Sequence, residues 1–198
     1  MMKNITIMKK ISILLIIGAI LTSVFTSCDY RINAPADYPD NAIYQPLALD
    51  GILYVDKAAV EDMGLPTEGA PVPYYMDKER NKLIINMGVV QSGTELKSFP
   101  VDVEVNYSAV NKLIQDGTFD LSVQHLPKAA YTLPETVMMR SDVAGTQFIL
   151  EIGGNVFTSD QYYGKKFAIA VSVHSEEAHV TPELSTVVVY IDPSFLVE

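Results

Sequence analysis

Two histidines flank an acidic pair in the stretch HSEEAH, in which His174 and His179 enclose Glu176 and Glu177. Imidazole and carboxylate groups are ligands that Zn²⁺ accepts in proteins. Histidines on a zinc-binding helix lie four residues apart. These two are five apart, and they follow a segment with the pattern of a strand. A solvated acidic loop explains the stretch better, so we predict no metal site and no cofactor.

Asp102 and Glu104 are carboxylates that could act together on a glycosidic bond, because they share one face of the segment PVDVEVNY. Glycoside hydrolysis uses two carboxyl groups about 5–9.5 Å apart. Among 24 acidic residues a pair at that spacing arises by chance, and both residues also suit a soluble surface. No serine lies in a nucleophile-elbow pattern. The glycine pair in IGGN (residues 152–155) lacks the basic residue and helix of a phosphate loop, so we predict a turn there.

These observations predict that the protein is not an enzyme. A cleft holding two acidic residues with raised pKa values would instead favour an enzyme.

Tyrosine occurs 11 times, including the adjacent pairs Tyr74–Tyr75 and Tyr162–Tyr163. An aromatic ring can stack on a sugar ring, and the tyrosine hydroxyl adds a hydrogen-bonding group. Neighbouring residues on a strand point to opposite faces, so each pair can present only one ring to solvent. Packing in the core or at a sheet edge is the alternative explanation for these side chains.

The only cysteine, Cys28, follows an N-terminal segment with the composition of a secretory signal peptide. Three lysines precede an apolar stretch over residues 11–21, which is shorter than the roughly 20 residues that span a bilayer. The sequence FTSC at 25–28 resembles a bacterial lipobox, with Phe25 where leucine is more frequent. We predict that residues 1–27 are a lipoprotein signal peptide and that Cys28 is lipidated. An uncleaved anchor helix and an ordinary signal peptide with an incidental cysteine are the alternatives.

A lipidated Cys28 would tie the protein to a membrane, because two acyl chains anchor stably where one does not. Whether the anchored protein would face the periplasm or the cell exterior is left open by this segment. Residues 28–41 (CDYRINAPADYPDN) are rich in proline and charge and are predicted to form a flexible tether. Residues 42–198 would form the domain. A chain with a single cysteine cannot form an intramolecular disulfide.

The charge balance excludes some partners. The whole chain carries a net charge of −10, and removal of residues 1–27, with three lysines and no acidic residue, makes it −13. Nucleic acid requires neutralisation of its phosphates by Lys and Arg, so we predict no nucleic-acid partner. The same balance disfavours peripheral binding to anionic lipid head groups.

Short segments with strand character follow one another along the domain. PVDVEVNY is the clearest, because valines at 101, 103 and 105 alternate with polar residues. FAIAVSV (residues 167–173) alternates large and small residues in the same way. The predicted strand segments are AIYQPL, ILYVD, PYYM, LIINMGVV, PVDVEVNY, TVMMR, TQFILEI, KKFAIAVSVH and STVVVYI.

One short helix interrupts the strands, in SAVNKLIQDG. Ser108 can cap its amino end, Val110, Leu113 and Ile114 form an apolar stripe, and Gly117 can end it. Eight or nine strands with one helical crossing predict an all-β fold, an antiparallel β-sandwich.

Several segments taken together resemble domain-of-unknown-function family 1735 (DUF1735). They are AIYQPLAL, LIINMGVVQSG, VDVEVNYSAVNKLI, LPKAAYTLP, VMMRSDVAGTQFILEI and YYGKKFAIAVSV, spread over residues 42–192. The resemblance implies an immunoglobulin-like sandwich of the kind found at the amino end of lipoproteins in glycan-scavenging Gram-negative bacteria. The location that it implies is the outer membrane, on its periplasmic or its cell-surface face. The family brings no established catalytic residues. Because the sequence ends just after the last predicted strand, a stand-alone accessory domain is expected.

The function implied by the resemblance is non-catalytic glycan binding, or partnership with outer-membrane proteins of polysaccharide uptake. Tyr75 and Tyr163 are the ligand-binding residues that we predict in this context. A different class of function remains open, a structural or adhesive lipoprotein related to pili. That alternative predicts that the final segment STVVVYIDPSFLVE is exchanged between subunits by β-augmentation.

Overall fold

Two six-stranded β-sheets pack against each other in the computed structural model, which describes residues 41–55, 73–93 and 95–193. The strands are β1 (Ala42–Tyr44), β2 (Ile52–Val55), β3 (Tyr74–Asp77), β4 (Lys82–Ser92), β5 (Phe99–Val105), β6 (Val123–His125), β7 (Tyr131–Thr132), β8 (Thr136–Met139), β9 (Gly145–Gly153), β10 (Lys166–His174), β11 (His179–Val180) and β12 (Thr186–Ile191). The α-helices are α1 (Tyr107–Gln115) and α2 (Asn155–Thr158), and short 3-10 helices cover Pro46–Asp50, Lys128–Ala130 and Pro182–Leu184.

The first sheet has the order β11-β1-β4-β9-β7, with β3 also paired to β4. The second has the order β2-β12-β10-β5-β8, with β6 also paired to β10. The predicted all-β sandwich with a short helix is therefore confirmed. Among the described strands the pairs β1–β11, β6–β10 and β2–β12 are parallel, and the other pairs are antiparallel as predicted.

Strand β10 explains the alternation of large and small residues in FAIAVSV. Its large side chains enter the core between the sheets, and its small ones lie on the outer face beneath α1. The alanines there leave room for the helix to approach the sheet. The inward residues are Phe167, Ile169, Val171 and Val173, and the outward ones are Ala168, Ala170 and Ser172.

Helix α1 packs through the predicted stripe, since Val110 is fully buried and Leu113 and Ile114 pack beside it on the small residues of β10. The predicted cap was wrong, because Asn106 and not Ser108 is the N-cap residue. The Asn106 side chain accepts a hydrogen bond from the Ala109 N–H at 3.0 Å. Ser108 supports that cap, because its hydroxyl donates to Asn106 Oδ1 at 2.6 Å.

Strand β12 lies inside the second sheet. It pairs with β10 from Thr186 to Ile191 and with β2 from Val188 to Ile191. Its inward residues Val187, Val189 and Ile191 are fully buried. An exchanged copy of this strand would form the same two ladders in a second subunit, so strand exchange stays a prediction.

The predicted signal peptide, Cys28 and all of the predicted tether except Asn41 lie outside the described residues. Within the described ranges, no helix has both the length and the apolar character needed to cross a bilayer.

Candidate functional site

A pocket of about 330 Å³ opens on the outer face of the second sheet, beside its edge strand β2. We call it the tyrosine cup and define it by Tyr54, Tyr190, Lys166, Asp120 and Asp192. Strand alternation sends Leu53 and Val55 inward and Tyr54 outward. Because β2 and β12 pair in parallel with Tyr54 opposite Tyr190, the two rings meet on one face.

The two rings form an open aromatic wall. Their centroids are 5.4 Å apart and their planes are inclined at 52°. Phe119, in the loop after α1, packs on the other side of Tyr190 at a centroid distance of 5.4 Å. Phe119 is buried whereas Tyr54 is 44% exposed, so the wall is anchored at one end and accessible at the other.

Charged groups surround this wall. Lys166 and Asp192 lie next to each other, because they adjoin the paired residues Phe167 and Ile191. Tyr190, mainly, and then Asp192 and Asp120 raise the pKa of the Lys166 ammonium. The cup thus holds one ammonium group that stays charged at neutral pH.

Asp120 completes the charged rim. Its carboxylate accepts a hydrogen bond from the Ser122 N–H at 2.8 Å. Hydrogen bonds from Ser122, followed by the charge of Lys166, lower the pKa of Asp120. With Asp192, the rim therefore has two carboxylates and one ammonium.

This combination is suited to a ring that is apolar on its faces and bears hydroxyl groups on its edge. The tyrosine rings offer stacking surface, and the charged groups form strong hydrogen bonds with hydroxyls. The volume is at the lower end of the range for small-ligand sites, about 300–1,000 Å³. A neutral sugar is a ligand with these properties.

The predicted binding residues Tyr75 and Tyr163 lie elsewhere. One ring of each pair is exposed, as predicted: Tyr75 is 40% and Tyr163 is 70% exposed, while Tyr74 and Tyr162 are buried. Tyr75 faces outward from the first sheet, opposite Ile84, and so lies on the other side of the sandwich from the cup. Tyr163 follows α2 beside a cavity of about 30 Å³, which is close to the size of a water molecule. Binding by either residue stays a prediction.

The structure places the other residues singled out in the sequence at exposed strand positions. Asp102 and Glu104 are both exposed on β5, and Asp102 accepts a hydrogen bond from Thr136. His174 and His179 are exposed at the ends of β10 and β11. In the part of the chain that the structure describes, no group of three or more His, Cys, Asp or Glu side chains is placed to hold a metal ion.

Sequence reasoning missed Tyr54 and Tyr190. Each stands singly in its own strand, and neither belongs to a paired-tyrosine motif. The local alternation in ILYV and VVVYI could have placed each on an outward face. Only the parallel register of β2 and β12 brings them together, and that pairing is not visible in the local pattern.

No family model matches the sequence, and no curated protein matches it significantly. Solved structures with a similar arrangement of strands include several proteins from Bacteroides. One is a protein from Bacteroides ovatus provisionally described as carbohydrate binding, at 14% identity, 58% coverage of this chain, 32% coverage of its own and a TM-score of 0.47. A two-domain protein of unknown function from Bacteroides fragilis has 11% identity and a TM-score of 0.44, and the match covers 70% of this chain and 50% of that protein.

A third is a multidomain protein including DUF1735 from Bacteroides ovatus, at 13% identity, coverages of 75% and 43%, and a TM-score of 0.49. The chain thus spans between a third and a half of the length of these three proteins. None of their names states an enzymatic activity. A DUF1735-containing protein is thus among the structural neighbours.

Proposed function

We propose that this protein is a lipid-anchored, non-catalytic accessory protein of the outer membrane that binds uncharged glycans through the tyrosine cup. The observation that carries the proposal is the wall formed by Tyr54 and Tyr190, surrounded by Lys166, Asp120 and Asp192. A partnership with proteins of polysaccharide uptake would use this binding to hold glycan chains near the membrane.

Affinity gel electrophoresis of residues 29–198, called the soluble domain below, through gels that contain starch, mixed-linkage β-glucan, xylan or mannan tests glycan binding. We expect at least one of these uncharged polysaccharides to retard the wild type. Tyr54→Ala should weaken that binding about tenfold, equivalent to 1.4 kcal/mol. If none of the four polysaccharides retards the wild type, the proposal is wrong.

Tyr75→Ala and Tyr163→Ala are the matched variants, because each also removes one exposed ring. If the tyrosine cup is the binding site, both variants should bind like the wild type. A loss of binding in either variant, with Tyr54→Ala unaffected, would support the sequence-based prediction and show that the tyrosine cup is not the site. Near-ultraviolet circular dichroism of each variant checks that it is folded.

The anchor is tested separately. Cys28→Ser should abolish incorporation of labelled palmitate, because oxygen is a poor substitute for the thiolate nucleophile. Protease shaving of whole cells would then distinguish the cell surface from the periplasmic face. Palmitate incorporated into Cys28→Ser, or absent from the wild type, would contradict lipidation at Cys28.

A further inference from the structure

A second pocket, of about 240 Å³, lies beside the first turn of α1. We call it the side pocket and define it by Glu104, Tyr107, Lys128, Tyr131 and Glu135. The β5 end and α1 supply one wall, and the connection from β6 to β8 supplies the other.

The side pocket has the same chemical composition as the tyrosine cup. Each contains two tyrosines, one lysine and two acidic residues. In each, one tyrosine is well exposed, since Tyr107 is 48% and Tyr54 is 44% exposed. The two sites therefore offer the same combination of stacking surface and hydroxyl-binding groups.

The exposed ring of the side pocket is held in place from below. Tyr107 meets the His125 ring edge-on, at a centroid distance of 5.2 Å and an angle of 75°. The His125 Nε2 atom lies 2.8 Å from Asn111 Oδ1, one helical turn after Tyr107. These contacts limit the freedom that Tyr107 would lose when a ligand binds, which favours binding.

The deeper part of the pocket supplies polar groups. Lys128 Nζ lies 4.8 Å from the centroid of the Tyr131 ring, a cation–π arrangement. Burial, followed by hydrogen bonding to Tyr107, raises the pKa of Tyr131 to about 12. The Tyr131 hydroxyl is therefore protonated at physiological pH, and its hydrogen bond with Tyr107 joins the two tyrosines of the pocket.

The two sites lie at opposite ends of α1. Tyr107 is the first residue of the helix, and Thr118, Phe119 and Asp120, which line the tyrosine cup, follow its last turn. At 1.5 Å per residue the helix is about 14 Å long. Because α1 packs over the buried Ala168 between the two sites, a ligand that reaches both passes along the exposed side of the helix.

We infer that the tyrosine cup and the side pocket are two subsites for one linear, uncharged polysaccharide chain. The inference rests on the proposed function and adds the length of the ligand to it. A chain that reaches both subsites binds the second one intramolecularly, so its affinity exceeds that of a fragment confined to one subsite. Short fragments should therefore bind weakly.

The test compares intact polysaccharide with fragments of defined length. The probes are the polysaccharide that retards the wild type in affinity gels and its own enzymatic fragments, from disaccharide to hexasaccharide, measured by isothermal titration. We expect the affinity of the wild type to rise at least tenfold between the shortest and the longest fragments. Tyr107→Ala should lose that rise and keep disaccharide binding within about twofold.

Lys128→Met is a second variant of the side pocket, because it removes an exposed charge without disturbing the Tyr107–His125 contact. It should lower the affinity for the longest fragments and leave disaccharide binding intact. Tyr163→Ala serves as the control and should behave like the wild type.

The two possible failures are distinguishable. If no polysaccharide retards the wild type, the proposed function itself fails. If the wild type binds and Tyr54→Ala abolishes binding, but affinity is independent of fragment length and Tyr107→Ala and Lys128→Met have no effect, the cup is the whole site and the two-subsite inference is wrong.

Discussion

At the scale of single residues, the neighbours of Gly154 leave no space for a side chain at that position. Its N–H donates to the Asn81 carbonyl at 2.8 Å, so the end of β9 lies directly against the β3–β4 turn. A Cβ atom on Gly154 would lie 2.0 Å from Asn81 Oδ1 and 2.6 Å from Asn81 O. The IGGN stretch predicted as a turn is thus the end of β9 and the start of α2, and its second glycine is needed for close packing.

Gly154→Ala should accordingly destabilise the fold, by about 1–3 kcal/mol as for other overpacked sites. Urea denaturation of the soluble domain measures the change. Gly145→Ala is the control, because its Cβ would meet Val89 and Val90 at an ordinary 3.4 Å, so a change within about 0.5 kcal/mol is expected. The double variant with Asn81→Gly should recover part of the loss. Equal stability of Gly154→Ala and Gly145→Ala would contradict the close contact.

Tyr131 makes stability depend on pH at the alkaline end. Its folded-state pKa of about 12 is raised above the ordinary value of 10. The unfolded chain therefore loses the phenolic proton first, and this contribution to stability is complete below pH 10 and lost as pH rises towards 12. Chemical denaturation across that range should show the free energy of unfolding falling less steeply in Tyr131→Phe than in the wild type. If the free energy of unfolding falls equally steeply with pH in both proteins, Tyr131 is not the group that causes the pH dependence.

At the scale of elements, the start of α1 depends on one side chain. Besides accepting from the Ala109 N–H, Asn106 donates from Nδ2 to Ser172 Oγ at 3.0 Å, and so joins the helix to β10. Asn106→Ala should cost about 1–2 kcal/mol, the range for loss of an N-cap. Ser108→Ala, the control, should cost less, because Ser108 contacts only the cap itself. If thermal or urea unfolding shows a larger loss of stability in Ser108→Ala than in Asn106→Ala, Ser108 is the cap residue after all.

The two candidate cap residues show which features of α1 the local sequence could predict. The pattern predicted the helix and its apolar stripe correctly, because periodicity depends only on local spacing. It could not decide between Asn106 and Ser108, because both residue types cap helices. The choice is made by Ser172 on β10, a residue that is remote in sequence and contacts Asn106.

The strands show the same difference between what the local sequence predicts and what distant contacts decide. All nine predicted segments contain strands, because each carries enough alternating or apolar residues to be recognised. The missed strands β6, β7 and β11 have only two or three residues each, too few for a periodic signal. They form because a neighbouring strand is available for pairing. The tyrosine cup and the side pocket were missed for the same reason, since both arise from pairing and from loop positions.

Buried polar residues also join elements in ways that the pattern does not reveal. Gln45 is fully buried, and its Nε2 donates to the Val171 and Ser185 carbonyls at 2.9 and 2.7 Å. Gln91 donates in the same manner to the Lys97 and Arg140 carbonyls at 3.1 and 3.0 Å. Gln45 follows β1 and Gln91 lies within β4, and both bind backbone carbonyls of segments that are distant in the sequence. In the sequence each would be taken for an exposed residue.

At the scale of the whole molecule, net charge determines which glycans can bind. The chain carries −10, and each proposed subsite has two carboxylates for one ammonium. An acidic polysaccharide such as polygalacturonate would meet repulsion both from the molecule and at each subsite. An uncharged one would not, so its affinity should be insensitive to salt.

Affinity measured between about 0.01 and 1 M salt tests this dependence, because the Debye length falls from about 30 to 3 Å over that range. We expect an uncharged polysaccharide to bind equally well throughout. Polygalacturonate should bind poorly at low salt and better at high salt, as its repulsion is screened. Asp120→Asn, which removes one carboxylate from the tyrosine cup, should reduce that salt dependence. If polygalacturonate binds most tightly at low salt, the ligand is acidic and is recognised by cations outside both subsites.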